Sequence, residues 1–369
     1  MAWGRKEKTP KRPIKPKAKG KAPAKAPSGK APARTSGGKP KPLEKRSRRA
    51  AEVSEEKSSA ATPRRMSRLS HILSTAGLAL KKGLGQNFLV NQGALQKIAA
   101  AIAPDPQSLV LEIGCGLGNL TELIAPHAAG LVAVELDERF RSIHERELLP
   151  MGNVQVLYAD FMKINLQEVL EETVKKTPAL THVGEALNIR IAGNIPYHLT
   201  SPILFKLIAS PVEFASISLL MQREVAHRLS AAPGHRNYGI LAVKILTRYV
   251  AETLFTVSPG SFLPPPKIHS ALVRLTPRPG GPLIADPLER ESFFAFVDAA
   301  FAQRRKFMSR SLMAASHGLL TREQVAEAQT RLGLDLNVRA EDLTPEQLLE
   351  VFQALGKPSL ESNRKSYLD

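Results

Sequence analysis

A strand-length run that ends in a glycine-rich turn is the feature of this sequence that most restricts its fold. Residues 109–113 (LVLEI) are almost wholly apolar and lead directly into Gly114-Cys115-Gly116-Leu117-Gly118. Runs of this kind are typical of parallel strands that are buried on both faces. Glycines that follow such a strand let a ligand approach the backbone closely at the carboxyl edge of the sheet.

Further strand-length runs predict the rest of the sheet. We place them at residues 130–134, 154–158, 189–192, 216–221, 243–249 and 270–275, and helix-like stretches separate the first of them. Alternation of this kind favours an α/β fold in which a Rossmann-like, parallel sheet carries helices on both faces. After a Pro- and Gly-rich break at 276–287 the pattern is wholly helical, and it predicts a small all-α domain over 288–356. Thr344-Pro345-Glu346-Gln347 opens its last helix as a capping box with Pro at the first position.

Acidic residues at strand ends point to the ligand of the glycine turn. Glu135 lies 21 residues beyond Gly114, at the end of the second strand, where a carboxylate can accept hydrogen bonds from both hydroxyls of a ribose. The turn reads Gly-x-Gly-x-Gly, because residue 119 is Asn; this form suits S-adenosylmethionine, which has no pyrophosphate, better than NAD. Asp160, directly after the third strand, is expected to receive the adenine amine of that cofactor. Either acid could instead be a helix cap.

Asn194-Ile195-Pro196-Tyr197 follows the fourth strand and predicts the chemistry. The Asn194 amide oxygen and the backbone carbonyl before or at Pro196 can together accept both hydrogens of an adenine N6 amine, which makes that nitrogen more nucleophilic. Tyr197 can stack on the base, and Phe262 is the candidate for a second wall around an extruded base. A plain turn and a buried core phenylalanine are the alternatives. We expect no metal, because the sequence has one cysteine and no HExxH motif.

Eight segments, in this order, resemble the ribosomal RNA adenine N6-dimethyltransferase family: LKKGLGQNFLVNQ, LEIGCGLGNLT, VAVELDERF, YADFMKINL, AGNIPYHLTSPILFKL, MQREVAHRL, FLPPPKIHSALVRL and FAQRRKFMSRSL. The resemblance implies a class I methyltransferase domain over 81–276 and a helical RNA-binding domain over 288–356. The substrate it implies is a pair of adjacent adenosines in the 3'-terminal hairpin loop of small-subunit (16S) rRNA, modified late in ribosome biogenesis. The cofactor pocket it implies comprises Gln86, Asn87, Leu89, Gly114, Gly116, Glu135, Asp160 and Asn194, while Tyr197 and Phe262 enclose the base.

The alternatives to this function concern the substrate and the activity. A large-subunit rRNA adenine methyltransferase of the macrolide-resistance type shares the Asn-Ile-Pro-Tyr chemistry, and a non-catalytic rRNA-binding assembly factor is the rival without chemistry. Cys115 departs from the family pattern, where many relatives carry Pro or Ala, and residues 168–187 form an insertion-like stretch.

Basic residues occur in two places. Arg304, Arg305 and Lys306 form a compact cluster that suits phosphate contacts, although a solvated helix face would look the same. Residues 1–70 contain 22 Lys and Arg against 5 Asp and Glu, so this tail carries almost all of the net charge of +18. Its Lys/Pro/Ala-rich composition predicts disorder. It could be a solubilising tail, an RNA-binding arm or an organelle transit peptide; we expect a cytoplasmic, monomeric, bacterial-type protein that binds no membrane.

Overall fold

The computed structural model describes residues 86–180 and 188–360. The basic tail, the first residues of the domain expected at 81–276, and residues 181–187 of the insertion-like stretch lie outside the described residues. The first part of that stretch belongs to a helix, Leu166–Lys176. None of the helices in the two described ranges is long and apolar enough to cross a membrane.

Nine strands lie in the described residues: β1 (Phe88–Leu89), β2 (Ser108–Ile113), β3 (Gly130–Glu135), β4 (Val154–Tyr158), β5 (Asn188–Asn194), β6 (Ser216–Gln222), β7 (Tyr249–Val257), β8 (Phe262–Leu263) and β9 (Ser270–Pro277). Seven of them form one sheet in the order β4-β3-β2-β5-β6-β9-β7. Its first five strands are parallel, which confirms the predicted Rossmann-like α/β fold. The last two are antiparallel, so the sheet is mixed.

Eleven α-helices lie in the same ranges: α1 (Gln92–Ile102), α2 (Thr121–Ile124), α3 (Arg141–Glu147), α4 (Leu166–Lys176), α5 (Thr200–Ala209), α6 (Arg223–Leu229), α7 (Ile240–Leu246), α8 (Pro287–Phe301), α9 (Met308–Ala315), α10 (Arg322–Arg331) and α11 (Pro345–Ala354). The apolar side chains of α4 and α5 pack on one face of the sheet, and those of α1 and α2 on the other. The sheet is therefore buried on both faces, as its continuous apolar runs predict.

The strand predicted at 243–249 is wrong. Most of that run belongs to helix α7, and the strand begins only at Tyr249. Five consecutive residues of α7 are buried, because Leu241 and Ile245 face the core of the sheet while Ala242 and Val243 face a second, helical core. A short helix that is buried on all sides has the same continuous apolar pattern as a buried strand, so periodicity cannot distinguish the two.

The helices from α8 onwards enclose the second core, in which the rings of Phe293, Phe296 and Phe352 are in contact. The predicted start of the last helix is confirmed: Thr344 and Gln347 form a reciprocal capping box, and Pro345 is the first helical residue. Because α7 contributes side chains to both cores, the predicted domain boundary between residues 276 and 288 stays a prediction.

A buried ion pair joins the two cores. Lys244 Nζ of α7 lies 2.5 Å from Asp298 Oδ1 of α8, and these side chains are only 5% and 3% exposed. The ammonium also faces the rings of Phe205 and Phe294, at 5.2 and 5.3 Å from their centroids. Removing one member of such a pair leaves a buried charge without its counter-ion.

We expect Asp298→Ala to lower the free energy of unfolding by about 3–5 kcal/mol, because it strands the Lys244 ammonium in an apolar site. The double variant Lys244→Met/Asp298→Leu should lose less, since it removes both charges. Urea denaturation measures the difference. Glu172→Ala, which removes one member of an exposed pair with Lys176, is the control and should change stability by less than about 1 kcal/mol. A double variant as unstable as Asp298→Ala would contradict this account.

Candidate active site

A cavity lies at the carboxyl edge of the parallel strands, as the sequence predicts for a ligand of the glycine turn. It is lined by ten of the residues singled out from the sequence: Gln86, Asn87, Leu89, Gly114, Gly116, Glu135, Asp160, Asn194, Pro196 and Tyr197. The structure therefore brings the expected cofactor and base contacts together in one site.

The glycine turn forms the floor of the cavity. Gly114 and Gly116 have φ angles of +71° and +58°, which side-chain-bearing residues rarely adopt. A Cβ atom on Gly114 would meet no atom within 4 Å, whereas one on Gly116 would lie 2.9 Å from the Phe88 ring. The turn is thus open above Gly114 and closely packed at Gly116. A planar ligand could approach the main chain at Gly114.

Glu135 is fixed by the backbone on both sides. Its Oε2 accepts the Gly116 N–H at 2.8 Å, and its Oε1 accepts the Asp137 N–H at 2.8 Å. The residue is 6% exposed, and burial raises the pKa of its carboxyl, although these two hydrogen bonds act in the opposite direction. Each carboxylate oxygen has a further lone pair, so Glu135 can still accept hydroxyl donors from a ligand.

Asp160 lines the cavity, and Asp137, which follows β3, holds a residue that lines it. Asp160 Oδ1 accepts the Met162 N–H at 2.9 Å, so the residue closes a local turn; the helix cap that was its alternative is Asn165 instead. Asp137 Oδ2 accepts a hydrogen bond from Gln86 Nε2 at 3.2 Å and thereby ties residues 86–89, the leading segment, to the end of β3. Hydrogen bonds from Arg139 are the main reason that the pKa of Asp137 is lowered to about 2.

Asn194 holds the same leading segment from β5. Its Nδ2 donates to the Asn87 carbonyl at 2.8 Å. This bond fixes which branch of the amide is nitrogen, so the oxygen is the branch directed away from Asn87. The geometry leaves an oriented acceptor at the end of β5, where the predicted chemistry requires one.

Tyr197 is held by β9. Its hydroxyl and the buried Ser270 Oγ are 2.7 Å apart, and burial raises the pKa of the phenol. The Pro196 carbonyl accepts the Leu199 N–H at 3.0 Å within the short 3-10 turn that follows. Of the two carbonyls that the sequence left open, the Pro196 carbonyl is therefore already committed to one hydrogen bond.

Phe262 is not among the residues that line the cavity. It is 3% exposed and packs in the core beside α1, with Leu89 as its partner in the β1–β8 pair. The alternative reading, a buried core phenylalanine, describes this placement. Stacking by Phe262 on a base would require the side chain to leave that core.

The basic cluster lies apart from the cavity, on the turn between α8 and α9 and not on a helix face. Arg304 donates from Nε to Glu341 at 3.0 Å and also bonds the Arg236 carbonyl, whereas Arg305 and Lys306 are exposed. No group of three or more His, Cys, Asp or Glu residues within 86–180 and 188–360 could hold a metal ion.

Glu112 and His144 were missed by the sequence analysis. Glu112 belongs to β2, directly below the glycine turn, and is 1% exposed; its Oε2 accepts the Thr121 hydroxyl at 2.6 Å. Burial is the main reason that its pKa is raised to about 7, and the nearby Glu135 adds to the shift. An acidic residue inside the run LVLEI was the available signal. His144 lies on the helix that follows β3. The sequence of that helix, RSIHERE, is mostly polar, so nothing in it predicted a buried histidine.

We expect Glu112 to make stability fall as pH rises. The folded-state pKa of about 7 exceeds the ordinary 4.5, so the folded protein holds this proton more tightly than the unfolded chain does. The resulting stabilisation is fully present below about pH 4.5 and is lost as the pH rises through about 7. Between pH 5 and pH 8 the wild type should lose about 3 kcal/mol relative to Glu112→Gln, which keeps the acceptor for Thr121. Urea denaturation at a series of pH values tests this. Glu145→Gln, at an exposed position, is the control and should follow the wild type; parallel curves for Glu112→Gln and wild type would contradict the assignment.

Comparison with known proteins gives consistent matches. The family model described as ribosomal RNA adenine dimethylase matches residues 77–357. The ribosomal RNA small subunit methyltransferases A of a Geobacillus species and of Bacillus cereus are each 35% identical, over 289 and 296 residues, which cover 78% and 80% of this chain and 96% and 97% of theirs.

Two solved structures share the fold. A dimethyladenosine transferase from Plasmodium falciparum superimposes with a TM-score of 0.59 at 24% identity, over 72% of this chain and 97% of its own. The 23S rRNA methyltransferase ErmE superimposes with a TM-score of 0.54 at 25% identity, over 73% of this chain and 100% of its own.

Proposed function

Because this chain belongs to the ribosomal RNA adenine dimethylase family, we propose that it dimethylates N6 of adenosines in small-subunit (16S) rRNA, with S-adenosylmethionine as the methyl donor. The target we propose is the pair of adjacent adenosines in the 3'-terminal hairpin loop, modified late in ribosome biogenesis. One observation carries the proposal: Asn194 lies in the same cavity as Gly114 and Glu135.

The residues of the cavity fit S-adenosylmethionine. An open glycine, a buried carboxylate with lone pairs to spare and a second acid at the end of the next strand suit a nucleoside that carries no phosphate. We assign the ribose to Glu135 and the adenine amine to Asp160, while Gln86, Asn87 and Leu89 cover the site. When bound, the cofactor supplies an electrophilic methyl group.

The chain's own residues would prepare the substrate amine. The Asn194 amide oxygen is oriented by the bond from its Nδ2 to Asn87, and it would accept one N6 hydrogen. We assign the other to the Ile195 carbonyl, because the Pro196 carbonyl has only one lone pair left beside its bond to Leu199. Two acceptors draw the nitrogen lone pair out of conjugation with the ring, and positioning then accounts for most of the catalysis.

Tyr197 would stack on the extruded base, with its ring held by the hydroxyl bond to Ser270. Phe262 would support this wall from the core through β8 and does not contact the base in this geometry. No strong general base is needed, because alkylation makes the departing N6 proton acidic.

The direct test is methyl transfer from radiolabelled S-adenosylmethionine to purified ribosomal subunits that lack the modification, followed by nucleoside analysis. We expect N6,N6-dimethyladenosine in the small subunit only. Label in the large subunit would favour the macrolide-resistance alternative. Binding to the small subunit without transfer would favour a non-catalytic assembly factor.

We expect Asn194→Ala to lower kcat at least about 10²-fold, as the loss of one preorganised partner of the reacting atom does elsewhere. Binding of S-adenosylhomocysteine, measured by calorimetry, should weaken by less than about tenfold, since one hydrogen bond to residues 86–89 is lost while Glu135 and the glycine turn are untouched. Asn337→Ala is the control, because Asn337 is exposed and does not line the cavity. Near-normal turnover by Asn194→Ala would refute the catalytic role.

The basic turn between α8 and α9 supports RNA binding through phosphate contacts. Arg305→Ala/Lys306→Ala should raise KM for the small subunit, leave kcat unchanged at saturating RNA, and reduce the slope of log affinity against log salt by about 1–2. Lys175→Ala/Lys176→Ala on α4 removes the same charge from another exposed site and is the matched control. Equal effects of the two double variants would mean that only net charge matters.

A further inference from the structure

A chain of hydrogen bonds runs behind the glycine turn, on the side away from the cavity. Tyr158 of β4 and His144 of α3 are joined by a contact of 2.8 Å between the hydroxyl and Nδ1. His144 Nε2 lies 2.7 Å from the Gly116 carbonyl, and the Gly116 N–H donates to Glu135. The chain thus connects a buried imidazole to the carboxylate that we assign to the ribose.

The partners determine the tautomer of His144. A carbonyl oxygen can only accept, so Nε2 must carry a proton and donate to Gly116. Burial favours the neutral ring, so Nδ1 has a lone pair and accepts from the Tyr158 hydroxyl. The guanidinium carbon of Arg141 lies 4.0 Å from the centroid of the Tyr158 ring and fixes the outer end of the chain.

Helix α3 is the rigid support for this contact. His144 is fully buried, and directly after the helix the side chain of Leu148 lies so close to Gly118 that a Cβ there would approach it to 2.7 Å. The helix therefore contacts the turn in three ways: Leu148 packs at Gly118, His144 Nε2 bonds the Gly116 carbonyl, and the same Nε2 lies 3.9 Å from Cys115 Sγ. The bond to the carbonyl is short and directional, so it restrains the peptide group that follows Gly116, while the bond to Glu135 restrains the one before it.

We propose that His144 is a positioning residue for the cofactor: by holding the Gly116 carbonyl, it restrains the backbone of Gly116, whose N–H holds the Glu135 carboxylate. The inference rests on the proposed function, because it takes Glu135 as a ligand of the cofactor. It assigns a task to a residue that touches neither cofactor nor RNA. It also accounts for a fully buried histidine whose two ring nitrogens both have polar partners.

Two measurements on the full-length protein test it. The first is NMR of the wild type with ¹⁵N-labelled histidine: His144 should show a protonated Nε2 and an unprotonated Nδ1 at neutral pH. A protonated Nδ1 would overturn the proposal, because the lone pair on Nε2 would then face the carbonyl. This result depends on no variant and on no enzyme activity.

The second measurement is calorimetric binding of S-adenosylhomocysteine. His144→Leu, which packs but cannot donate, should raise Kd about tenfold, and His144→Gln, whose amide nitrogen can reach the place of Nε2, should restore it to within about threefold. The Kd of Tyr158→Phe should lie between those of His144→Leu and His144→Gln, because phenylalanine cannot donate to Nδ1 and so no longer fixes the tautomer. In turnover, KM for S-adenosylmethionine should rise in His144→Leu while kcat at saturation stays the same.

His127→Leu and His127→Gln, the same substitutions at an exposed histidine, are the matched controls. Wild-type affinity in His144→Leu, or a fall in kcat without a change in KM, would overturn the positioning role alone. Failure of the wild type to bind S-adenosylhomocysteine would overturn the proposed function and the positioning role with it, so the two failures are distinguishable.

Discussion

The hydrogen bond from the Gly116 N–H to Glu135 is the interaction on which the rest of the site depends. It joins the turn after β2 to the end of β3, and so sets the distance between the open backbone at Gly114 and the carboxylate that faces it. Gly116 makes this bond at a positive φ, and a Cβ there would lie 2.9 Å from the Phe88 ring. Gly116 therefore combines a positive φ, close packing against Phe88 and a hydrogen bond to Glu135.

A second constraint comes from the leading segment, which covers the cavity and is held by functional side chains. Asn194 donates to the Asn87 carbonyl, Asp137 accepts from Gln86, and β1 pairs with β8. The amide that we propose to act on the substrate is thus oriented by the same segment that would enclose the cofactor. Cofactor enclosure and orientation of the catalytic acceptor are coupled by a single hydrogen bond.

The sequence predicted most of the sheet and ten of the cavity residues, because strand-end positions of a parallel sheet converge at one edge whatever the side chains between them do. It failed where burial was set by tertiary contacts. Helix α7 was read as a strand because both of its sides are covered, and strand β7 was missed because it is an edge strand with mostly exposed or half-buried side chains. Phe262 was read as a wall because chain order cannot distinguish a cavity from the core behind it. His144 and Glu112 became visible only through their partners.

The two buried acids, Glu112 and Glu135, affect which ligand charge the cavity favours. Glu112 lies beneath the turn and Glu135 beside it; burial is the main reason that the pKa of Glu112 rises to about 7, and repulsion from Glu135 adds to the shift. A cationic ligand placed near them would relieve that repulsion and favour the ionised forms, whereas a neutral ligand of the same shape would not. By linkage, the protein should bind a cation more tightly as the pH rises through 7. A sulfonium cofactor and its neutral product differ in this one charge, so the buried acids would favour the first over the second and help to clear the site after each of several successive transfers.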